Sequence, residues 1–419
     1  MSMPLHELLR DPEQVAEFVA LRRDLHRHPE LAFAEHRTAG VVAERLRAWG
    51  YEVEQGIGGT GVVGRLRRGS GSRRLGLRAD MDALPIEEAT GKPYASRHAQ
   101  AMHACGHDGH TAMLLAAARL IAQRARIDGT LHLVFQPAEE GGAGALRMMA
   151  DGLFERYPCD AIFGMHNMPG IRSGQLVLRD GAAMASSDYA TVRLTGVGGH
   201  GALPQHARDP LVAAASLVMA LQTIVSRNVD PHAMGVVTVG ALHAGSANNV
   251  IAEQAVLEIS VRSLDPAVRE LLRRRLHELV EAQARSFEVD AAIDWRDGYA
   301  VLVNDPQQTE FARGVALELL GPQRVDLQGP ALSGSEDFAF MLQRIPGSYV
   351  LIGNGEGGDD APACMVHNPR YDFNDDILPV GAAYWTLLAE RFLGAPAAPR
   401  QGDAVPGNPK PATSIEEET

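Results

Sequence analysis

Side chains that commonly bind metal ions recur along the sequence in short clusters. Cys105 and His107 are two residues apart, Glu139 and Glu140 are adjacent, and His166 stands alone. Thiolate and imidazole groups both bind zinc, and imidazole also suits manganese or cobalt. A bound metal ion lowers the pKa of water and polarises carbonyl oxygens. If folding brings these clusters together, we expect a hydrolase that activates water.

Each cluster also has a structural explanation when it is considered alone. A Cys-x-His pair often reflects a buried cysteine beside hydrogen-bonded histidines, and adjacent glutamates after a strand usually lie in a solvated loop. Further histidines and an aspartate crowd residues 103–110 (HACGHDGH), and three glycines lie within residues 141–144. These additions favour a metal site. Asp82 could instead be a turn or N-cap aspartate, and His367 is uninformative by itself.

Length and composition restrict the class of protein. With 419 residues the chain is too long for one core, so two or three domains are expected. The net charge of -13 argues against nucleic acid as a partner, because phosphate binding requires clustered Lys and Arg. We expect no membrane span and no signal peptide, since neither pattern is evident. Three cysteines are too few for a disulfide framework and indicate a reducing cytoplasm.

Short apolar runs alternate with helical patterns, which predicts an α/β fold with a largely parallel sheet. The predicted strands are residues 61–64, 75–79, 131–135, 161–166 and 348–352, and the predicted helices are 12–28, 35–49, 111–123, 308–320 and 380–392. Asp82, the two glutamates and His166 come at strand ends, where the active sites of open α/β sheets gather. Cys105 and His107 are predicted to lie in an extended or turning segment before helix 111–123, with both side chains on one side.

Residues 187–300 have a different pattern. Strands at 188–194, 235–242, 255–262 and 291–295 alternate with helices at 210–226 and 267–286, in the order βαββαβ. This order predicts a ferredoxin-like α+β sandwich. We therefore divide the chain into a catalytic domain in two parts, 1–186 and 301–394, an inserted domain, 187–300, and a tail, 395–419. The tail is rich in Pro and Ala and is predicted to be disordered.

Residues 56–61 (GIGGTG) match the glycine pattern of dinucleotide-binding loops. Such a loop leads directly into a helix, whereas a strand is predicted to follow here. We interpret the segment as a glycine-rich turn.

Together, the motifs resemble those of the two-metal aminoacylase and carboxypeptidase-G-like family. The similarity is to its amidohydrolase branch, which contains hippurate hydrolases and hydrolases of indoleacetyl amino acids. It extends from about residue 21 to about residue 393. It rests on segments 77–85 (LRADMDALP), 103–110 (HACGHDGH), 135–141 (FQPAEEG), 199–204 (GHGALP), 249–251 (NVI) and 333–338 (SGSEDF). Each segment is weak evidence alone, but the combination is specific.

The resemblance implies a three-layer catalytic domain with a mixed, largely parallel sheet, and an inserted lid domain through which subunits dimerise. Matched position by position, the ligands of two divalent ions are Cys105, His107, Glu140, His166 and His367. The ions would be zinc or manganese, with cobalt or nickel as alternatives. Related peptidase branches have a carboxylate at the position of Cys105, and the softer thiolate leaves the choice of metal open.

The resemblance also implies catalytic roles. Glu139 would be the general base that takes a proton from metal-activated water and delivers it to the leaving amine. Asp82 would support the geometry of the ligands. His200 would reach the active site of the neighbouring subunit and stabilise the oxyanion. Asn249 and Arg262 match positions that bind substrate, such as its α-carboxylate, although Arg262 could equally form a surface salt bridge.

We therefore expect a cytoplasmic, metal-dependent amidohydrolase that cleaves small N-acyl amino acids, such as N-benzoylglycine or N-acetyl amino acids. It would act as a homodimer, or alternatively a tetramer, formed through the lid, without nucleic-acid or membrane partners. Three alternatives remain open. They are a dipeptidase or aminopeptidase of the same architecture, a cysteine hydrolase with Cys105 as nucleophile, and a metal-stabilised binding protein without activity.

Overall fold

Helices and strands alternate along most of the chain, as the sequence predicts. The structure, a computed structural model, describes residues 11–357 and 364–394. The helices are α1 (Pro12–Arg27), α2 (His36–Ala48), α3 (His107–Arg124), α4 (Gly144–Ala150), α5 (Leu153–Arg156), α6 (Pro210–Asn228), α7 (Pro266–Ser286), α8 (Pro306–Leu320), α9 (Phe338–Leu342) and α10 (Leu378–Leu393). The strands are β1 (Glu52–Ile57), β2 (Gly61–Arg68), β3 (Arg74–Asp80), β4 (Gly129–Gln136), β5 (Ala161–Pro169), β6 (Leu176–Val177), β7 (Gly181–Met184), β8 (Ser186–Thr195), β9 (Gly199–His200), β10 (Gly235–Ala244), β11 (Val250–Ile251), β12 (Gln254–Ser263), β13 (Asp290–Asp297), β14 (Leu302–Asn304), β15 (Val325–Asp326) and β16 (Gly347–Gly355).

The main sheet has eight strands in the order β1-β2-β4-β3-β5-β16-β6-β15. Its central strands β4, β3, β5 and β16 run parallel. At one side β1 pairs antiparallel with β2, and β2 with β4; at the other, β6 pairs antiparallel with β16 and parallel with β15. Successive side chains of β4 enter opposite cores, because a strand alternates its faces. Leu133 packs in the core with α1, α2, α3 and α10, and Val134 packs in the core with α4, α5 and α9. The predicted three-layer fold is thereby confirmed.

Residues 186–297 form a second unit, which we call the lid. Its strands β8, β10, β12 and β13 make an antiparallel sheet in the order β10-β12-β8-β13. Helices α6 and α7 cover one face of this sheet, where Val192, Leu257, Leu217 and Leu276 belong to a separate hydrophobic core. The order βαββαβ and the ferredoxin-like arrangement agree with the prediction. Because the cores are separate, we propose domain boundaries near residues 186 and 300.

Several element boundaries differ from the prediction, and two of them concern predicted metal ligands. Helix α3 begins at His107 rather than at residue 111, so His107 lies in its first turn instead of in an extended segment. Strand β5 continues to Pro169, so His166 lies within the strand rather than at its end. Hydrophobic periodicity could not locate either boundary, because polar site residues replace the apolar pattern there.

Two smaller predictions can also be compared with the structure. Residues 56–61 join the antiparallel strands β1 and β2, so the interpretation as a glycine-rich turn is confirmed. Among the described residues, α6 is long and apolar enough to cross a membrane by length and composition alone. Its buried side chains pack against the lid sheet. The predicted disordered tail, 395–419, lies outside the described residues.

Candidate metal centre

Neighbouring strands bring most of the metal-binding side chains to one edge of the main sheet. Strands β4, β3 and β5 are adjacent and parallel, so their carboxyl ends lie at the same edge. Asp82 follows β3, and Glu139 and Glu140 follow β4. His166 lies in the C-terminal half of β5. The topology therefore gathers residues that are far apart in sequence.

Cys105 and His107 are placed by an abrupt turn at Gly106. This glycine adopts a left-handed conformation, with φ of 94°, immediately before helix α3. A Cβ atom at this position would lie 2.3 Å from Asn167 Nδ2 and 2.5 Å from the Tyr371 hydroxyl. Glycine is thus required both for the backbone angle and for the close approach.

The five predicted metal ligands form one cluster. Cys105 Sγ lies 3.3 Å from His166 Nε2, and His367 Nε2 lies 3.1 Å from Glu140 Oε1. Two overlapping groups, Cys105–His107–His166 and Cys105–Glu140–His367, each have donor atoms within 4.8 Å of one another. Because the thiol belongs to both groups, the arrangement suits two adjacent ions.

His367 reaches the cluster from a distant loop. Its backbone N–H donates to the Ala104 carbonyl oxygen at 2.7 Å, which fastens this loop to the segment before Cys105. Its φ of 67° is left-handed, a conformation that costs free energy in a residue with a Cβ atom. Strain of this kind is typical of functional sites, where the surrounding structure holds the residue in place.

The donor set fits metal ions. Within the described part of the chain, His107 Nε2 is buried and has no hydrogen-bond partner. A buried polar atom without a partner costs about 1–3 kcal/mol, and coordination of a metal ion would remove that cost. Asp82 Oδ1 lies 3.2 Å from His107 Nδ1, and Asp82 Oδ2 accepts a hydrogen bond from the Glu140 N–H at 2.9 Å. Asp82 therefore orients two of the predicted ligands.

The electrostatics of the cluster also favour cations. Burial raises the pKa of the Cys105 thiol well above its usual range, and the carboxylates of Glu140 and Glu139 raise it further. Burial and the carboxylates of Glu336 and Glu140 likewise raise the pKa of Glu139. Divalent ions would offset this accumulated negative charge and stabilise the thiolate. Burial lowers the pKa of His166 well below its usual value, and His110 adds to this, so its imidazole is neutral and able to coordinate.

A buried charged network, to which the sequence analysis gave no role, lies beside Glu139. The Arg78 guanidinium is fully buried and contacts the carboxylates of Asp80, Glu336 and Asp337 at 2.6, 2.9 and 3.3 Å. Glu336 and Asp337 belong to segment 333–338, one of the motifs that resemble the family. That motif is the signal in the sequence that points to these two residues. Distance along the chain hid the connection, because Arg78 and Glu336 are 258 residues apart.

The cluster opens into a cavity of about 800 Å³ between the catalytic domain and the lid. Arg262 from strand β12 lines it, and its Nη1 donates to the Ser333 carbonyl oxygen at 3.2 Å. Among the described residues, Arg262 forms no salt bridge, which removes the surface-salt-bridge explanation. Apolar side chains that the sequence could not identify line another part of the cavity; they are Leu146, Met168, Met184, Leu332 and Phe340.

His200 and Asn249 do not join this cavity within a single chain. Both residues are exposed, and they lie together, since strand β9 pairs with β11 and the Gly201 N–H donates to the Asn249 carbonyl oxygen at 2.8 Å. The His200 Nδ1 atom accepts a hydrogen bond from the Ala202 N–H at 3.0 Å. The structure thus brings the metal-binding residues and Arg262 together, but places His200 and Asn249 on a separate lid surface.

Comparison with known proteins agrees with this geometry. Residues 76–391 match the model of peptidase family M20/M25/M40. The chain belongs to this family. It is 43% identical over 377 residues to the hippurate hydrolase of Campylobacter jejuni, covering 90% of this chain and 97% of that protein. It is 38% identical over 382 residues to the N-acetyl-L-cysteine deacetylase of Bacillus subtilis, covering 90% of this chain and 88% of that protein.

A solved structure supports the same assignment. A dinuclear metal binding peptidase of the M20 family from Bacillus subtilis is similar with a TM-score of 0.79 and 31% sequence identity. The match covers 91% of this chain and 99% of that one. The protein is therefore a hydrolase that acts on amides, in the amidohydrolase branch of the M20 peptidases, and it uses divalent metal ions. The resemblance inferred from the sequence motifs is confirmed.

Proposed function

We propose that the protein hydrolyses the amide bond of N-acyl amino acids to a carboxylic acid and a free amino acid. The observation that carries the proposal is the position of Glu139, whose carboxylate lies within 4.8 Å of donor atoms of His107 and Glu140. A carboxylate beside the predicted metal ligands can serve as a base without itself being a ligand. The hippurate hydrolase and the N-acetyl-L-cysteine deacetylase among the relatives support this class of substrate.

We assign Cys105, His107, Glu140, His166 and His367 as the ligands of two divalent ions, zinc or manganese, with cobalt or nickel as alternatives. When bound, such ions lower the pKa of water and polarise the scissile carbonyl. The position of Cys105 favours a metal ligand over a nucleophile, because its thiol belongs to both groups of metal-donor atoms.

In this proposal Glu139 moves the protons of the reaction. Its carboxylate accepts a proton from the attacking water and then donates it to the leaving nitrogen. Its buried position and the neighbouring Glu336 carboxylate raise its affinity for that proton. Asp82 supports the reaction by orienting the His107 ring and the backbone of Glu140.

Arg262 is the proposed anchor for the substrate α-carboxylate. It has no carboxylate partner among the described residues, and it shares the cavity with Glu139 and His166. A guanidinium group binds a carboxylate through two parallel hydrogen bonds. The apolar residues of the same cavity, such as Leu146 and Phe340, would contact the acyl group.

We propose that His200 and Asn249 act in the active site of a second subunit. Both are exposed on the lid, where apolar side chains are also exposed, including Leu203, Leu211, Val212, Met219 and Val250. Grouped exposed apolar residues are typical of a protein interface. A homodimer, or a tetramer, formed through this surface would deliver His200 to stabilise the oxyanion and Asn249 to contact the substrate. We place this assembly in the cytoplasm, because free cysteines suit a reducing compartment.

A substrate panel tests the proposal. The purified protein is stripped with a chelator, reloaded separately with zinc, manganese, cobalt or nickel, and assayed with N-benzoylglycine and N-acetyl amino acids. Each substrate is compared with a dipeptide that has the same C-terminal residue and a free α-amine.

We expect the N-acyl compounds to be hydrolysed faster, and activity to depend on the restored ion. Preference for the free amine would indicate a dipeptidase, and activity that resists the chelator would indicate a cysteine hydrolase. Failure to hydrolyse any of these compounds would favour a binding protein.

A further inference from the structure

The chain passes between the catalytic domain and the lid twice, at residues 185–187 and 298–300. The two passages are hydrogen-bonded to each other: the Ser187 N–H donates to the Tyr299 carbonyl oxygen at 3.0 Å, and the Tyr299 N–H donates to Ser187 Oγ at 3.2 Å. The Gly298 N–H also donates to Asp188 Oδ1 at 3.0 Å. These bonds join the two passages into one small hinge element.

The hinge backbones are in direct contact. A Cβ atom on Gly298 would lie 2.0 Å from the Ser187 carbonyl oxygen, so no other residue fits there without displacing one passage. A lid rotation about this element must therefore turn both passages together, including the backbone of Tyr299.

The side chain of Tyr299 connects the hinge to the loop that carries Glu139. Its hydroxyl donates a hydrogen bond to the Glu139 carbonyl oxygen and accepts one from the Ala143 N–H at 3.2 Å. The ring is buried and packs edge-on against Phe340, with ring centroids 6.1 Å apart. One hydroxyl from the hinge thus contacts both ends of segment 139–143.

Two further hydrogen bonds to this loop come from the catalytic domain. Glu35 Oε1 accepts a hydrogen bond from the Ala138 N–H at 2.8 Å, and Asp82 Oδ2 accepts one from the Glu140 N–H at 2.9 Å. Ala138 and Ala143 hold left-handed φ angles of 53° and 52°, so the loop conformation depends on such external contacts. Of these three supports, Tyr299 is the one that belongs to the hinge.

We infer that Tyr299 is a positioning residue that couples the orientation of the lid to the position of the Glu139 carboxylate. It acts through the backbone of the loop and does not touch the reacting atoms. Any rotation of the lid about the hinge would carry the Tyr299 hydroxyl with it and change the angle at which Glu139 faces the attacking water. The inference rests on the proposed function, because it assumes that Glu139 is the base.

The first test is Tyr299→Phe, which keeps the ring and removes both hydrogen bonds. Misplacing a catalytic group by about 1 Å can reduce the rate by about 100-fold, so we expect kcat to fall by about 10- to 100-fold while KM stays near the wild-type value. Tyr51→Phe is the matched control, since the buried Tyr51 hydroxyl donates to the Ala118 carbonyl oxygen at 2.8 Å away from the metal cluster. It should leave kcat unchanged. A Tyr299→Phe enzyme with wild-type kcat would overturn the inference.

The second test separates coupling to the lid from simple support of the loop. Ser187→Ala removes the hinge hydrogen bond to the Tyr299 N–H without altering the Glu139 loop itself. Hydrogen exchange of residues 138–143, followed by mass spectrometry, is measured in both variants and in the control. We expect faster exchange in Ser187→Ala as well as in Tyr299→Phe, and wild-type exchange in Tyr51→Phe. Wild-type exchange in Ser187→Ala would overturn the coupling, whatever Tyr299→Phe does.

The exchange experiment needs no substrate, so it remains decisive if the proposed function is wrong. In that case the substrate panel would fail for the wild-type protein, while the loop would still respond to the hinge variant. If Tyr299→Phe does not fold, Ser187→Ala decides the inference by itself.

Discussion

The metal-ligand cluster and the outer surface of the lid differ in how completely one chain builds them. Cys105 and His107 are buried and connected to Asp82, Asn167 and the main sheet. His200 and Asn249 are exposed on short strands and loops of the lid. The first region is preorganised within a subunit, whereas in our proposal the second acts only in the active site of a partner subunit.

The difference follows from the kind of element that supports each region. Parallel strand ends and the first turn of a buried helix fix side chains through the packing of a whole domain. By contrast, His200 lies in the two-residue strand β9, and Asn249 directly precedes the two-residue strand β11. If the proposed division of the site between subunits holds, activity depends on assembly of the subunits.

The largest expected effect comes from the base. Glu139→Gln should lower kcat by about 10²- to 10⁴-fold, because proton transfer is lost, while the metal content stays at the wild-type level. Kinetics and metal analysis on the same preparation measure both quantities. Glu140→Gln is the matched variant, since it alters the adjacent residue and should lose metal. Normal turnover by Glu139→Gln would show that the base has been assigned to the wrong residue.

The second largest effect is expected from His200, and it tests whether this lid residue acts in the active site of the neighbouring subunit. His200→Ala should lower kcat by about 10²- to 10³-fold, through loss of an oxyanion donor. Mixing it with Glu139→Gln under conditions that exchange subunits should restore about a quarter of wild-type activity, because half of the dimers then contain one intact composite site.

His206→Ala, which changes another exposed histidine of the lid, is the control for this experiment and should retain activity. A mixture that stays as inactive as its components would show that His200 does not act in the site of its neighbour.

A smaller effect concerns substrate binding at the cavity between the two regions. Arg262→Gln should raise KM by about 10- to 100-fold and change kcat much less, since a charged hydrogen bond to the substrate carboxylate is lost. The comparison variant is Arg296→Gln, which removes another arginine that lines the cavity. The same assays with a substrate whose carboxylate is amidated should show little difference between wild type and Arg262→Gln. Equal KM effects for the two arginines would remove Arg262 as the specific anchor.

The two regions were also unequally predictable from the sequence. Strand-helix alternation predicted the three-layer domain, and the βαββαβ order predicted the lid sandwich, because periodic burial determines both. The first turn of α3 was missed, since its start depends on the left-handed Gly106 and not on apolar spacing. The sequence also gave no role to Arg78 or Tyr299, because their partners lie far away in the chain and only folding brings them together.

The smallest expected effect tests how the catalytic domain holds the start of α3. His26 Nδ1 lies 2.8 Å from Asp108 Oδ2, one residue beyond His107. Burial would lower the pKa of His26, but the Asp108 carboxylate outweighs it and the pKa rises to about 9. The interaction of protonated His26 with Asp108 therefore stabilises the folded protein fully below the unfolded pKa of about 6.5. This contribution is lost as pH rises through about 9.

His26→Asn should consequently reduce the free energy of unfolding by on the order of 2 kcal/mol near pH 6, and by less as pH increases toward 9. Denaturant unfolding at several pH values measures it. His28→Asn, which alters a half-buried histidine directly after the same helix, is the control. A deficit that grows with pH would contradict the assignment of a protonated His26.

The central claim is that one chain gathers five dispersed side chains around two ions, with Cys105 shared between them. Metal analysis of the purified wild-type protein and of Cys105→Ala, both reloaded with zinc or manganese and then desalted, tests it most directly. The account predicts two ions per wild-type chain and a loss of both in Cys105→Ala, in a protein that remains folded by circular dichroism. A wild-type protein with fewer than two ions, or a Cys105→Ala variant that keeps both, would contradict it.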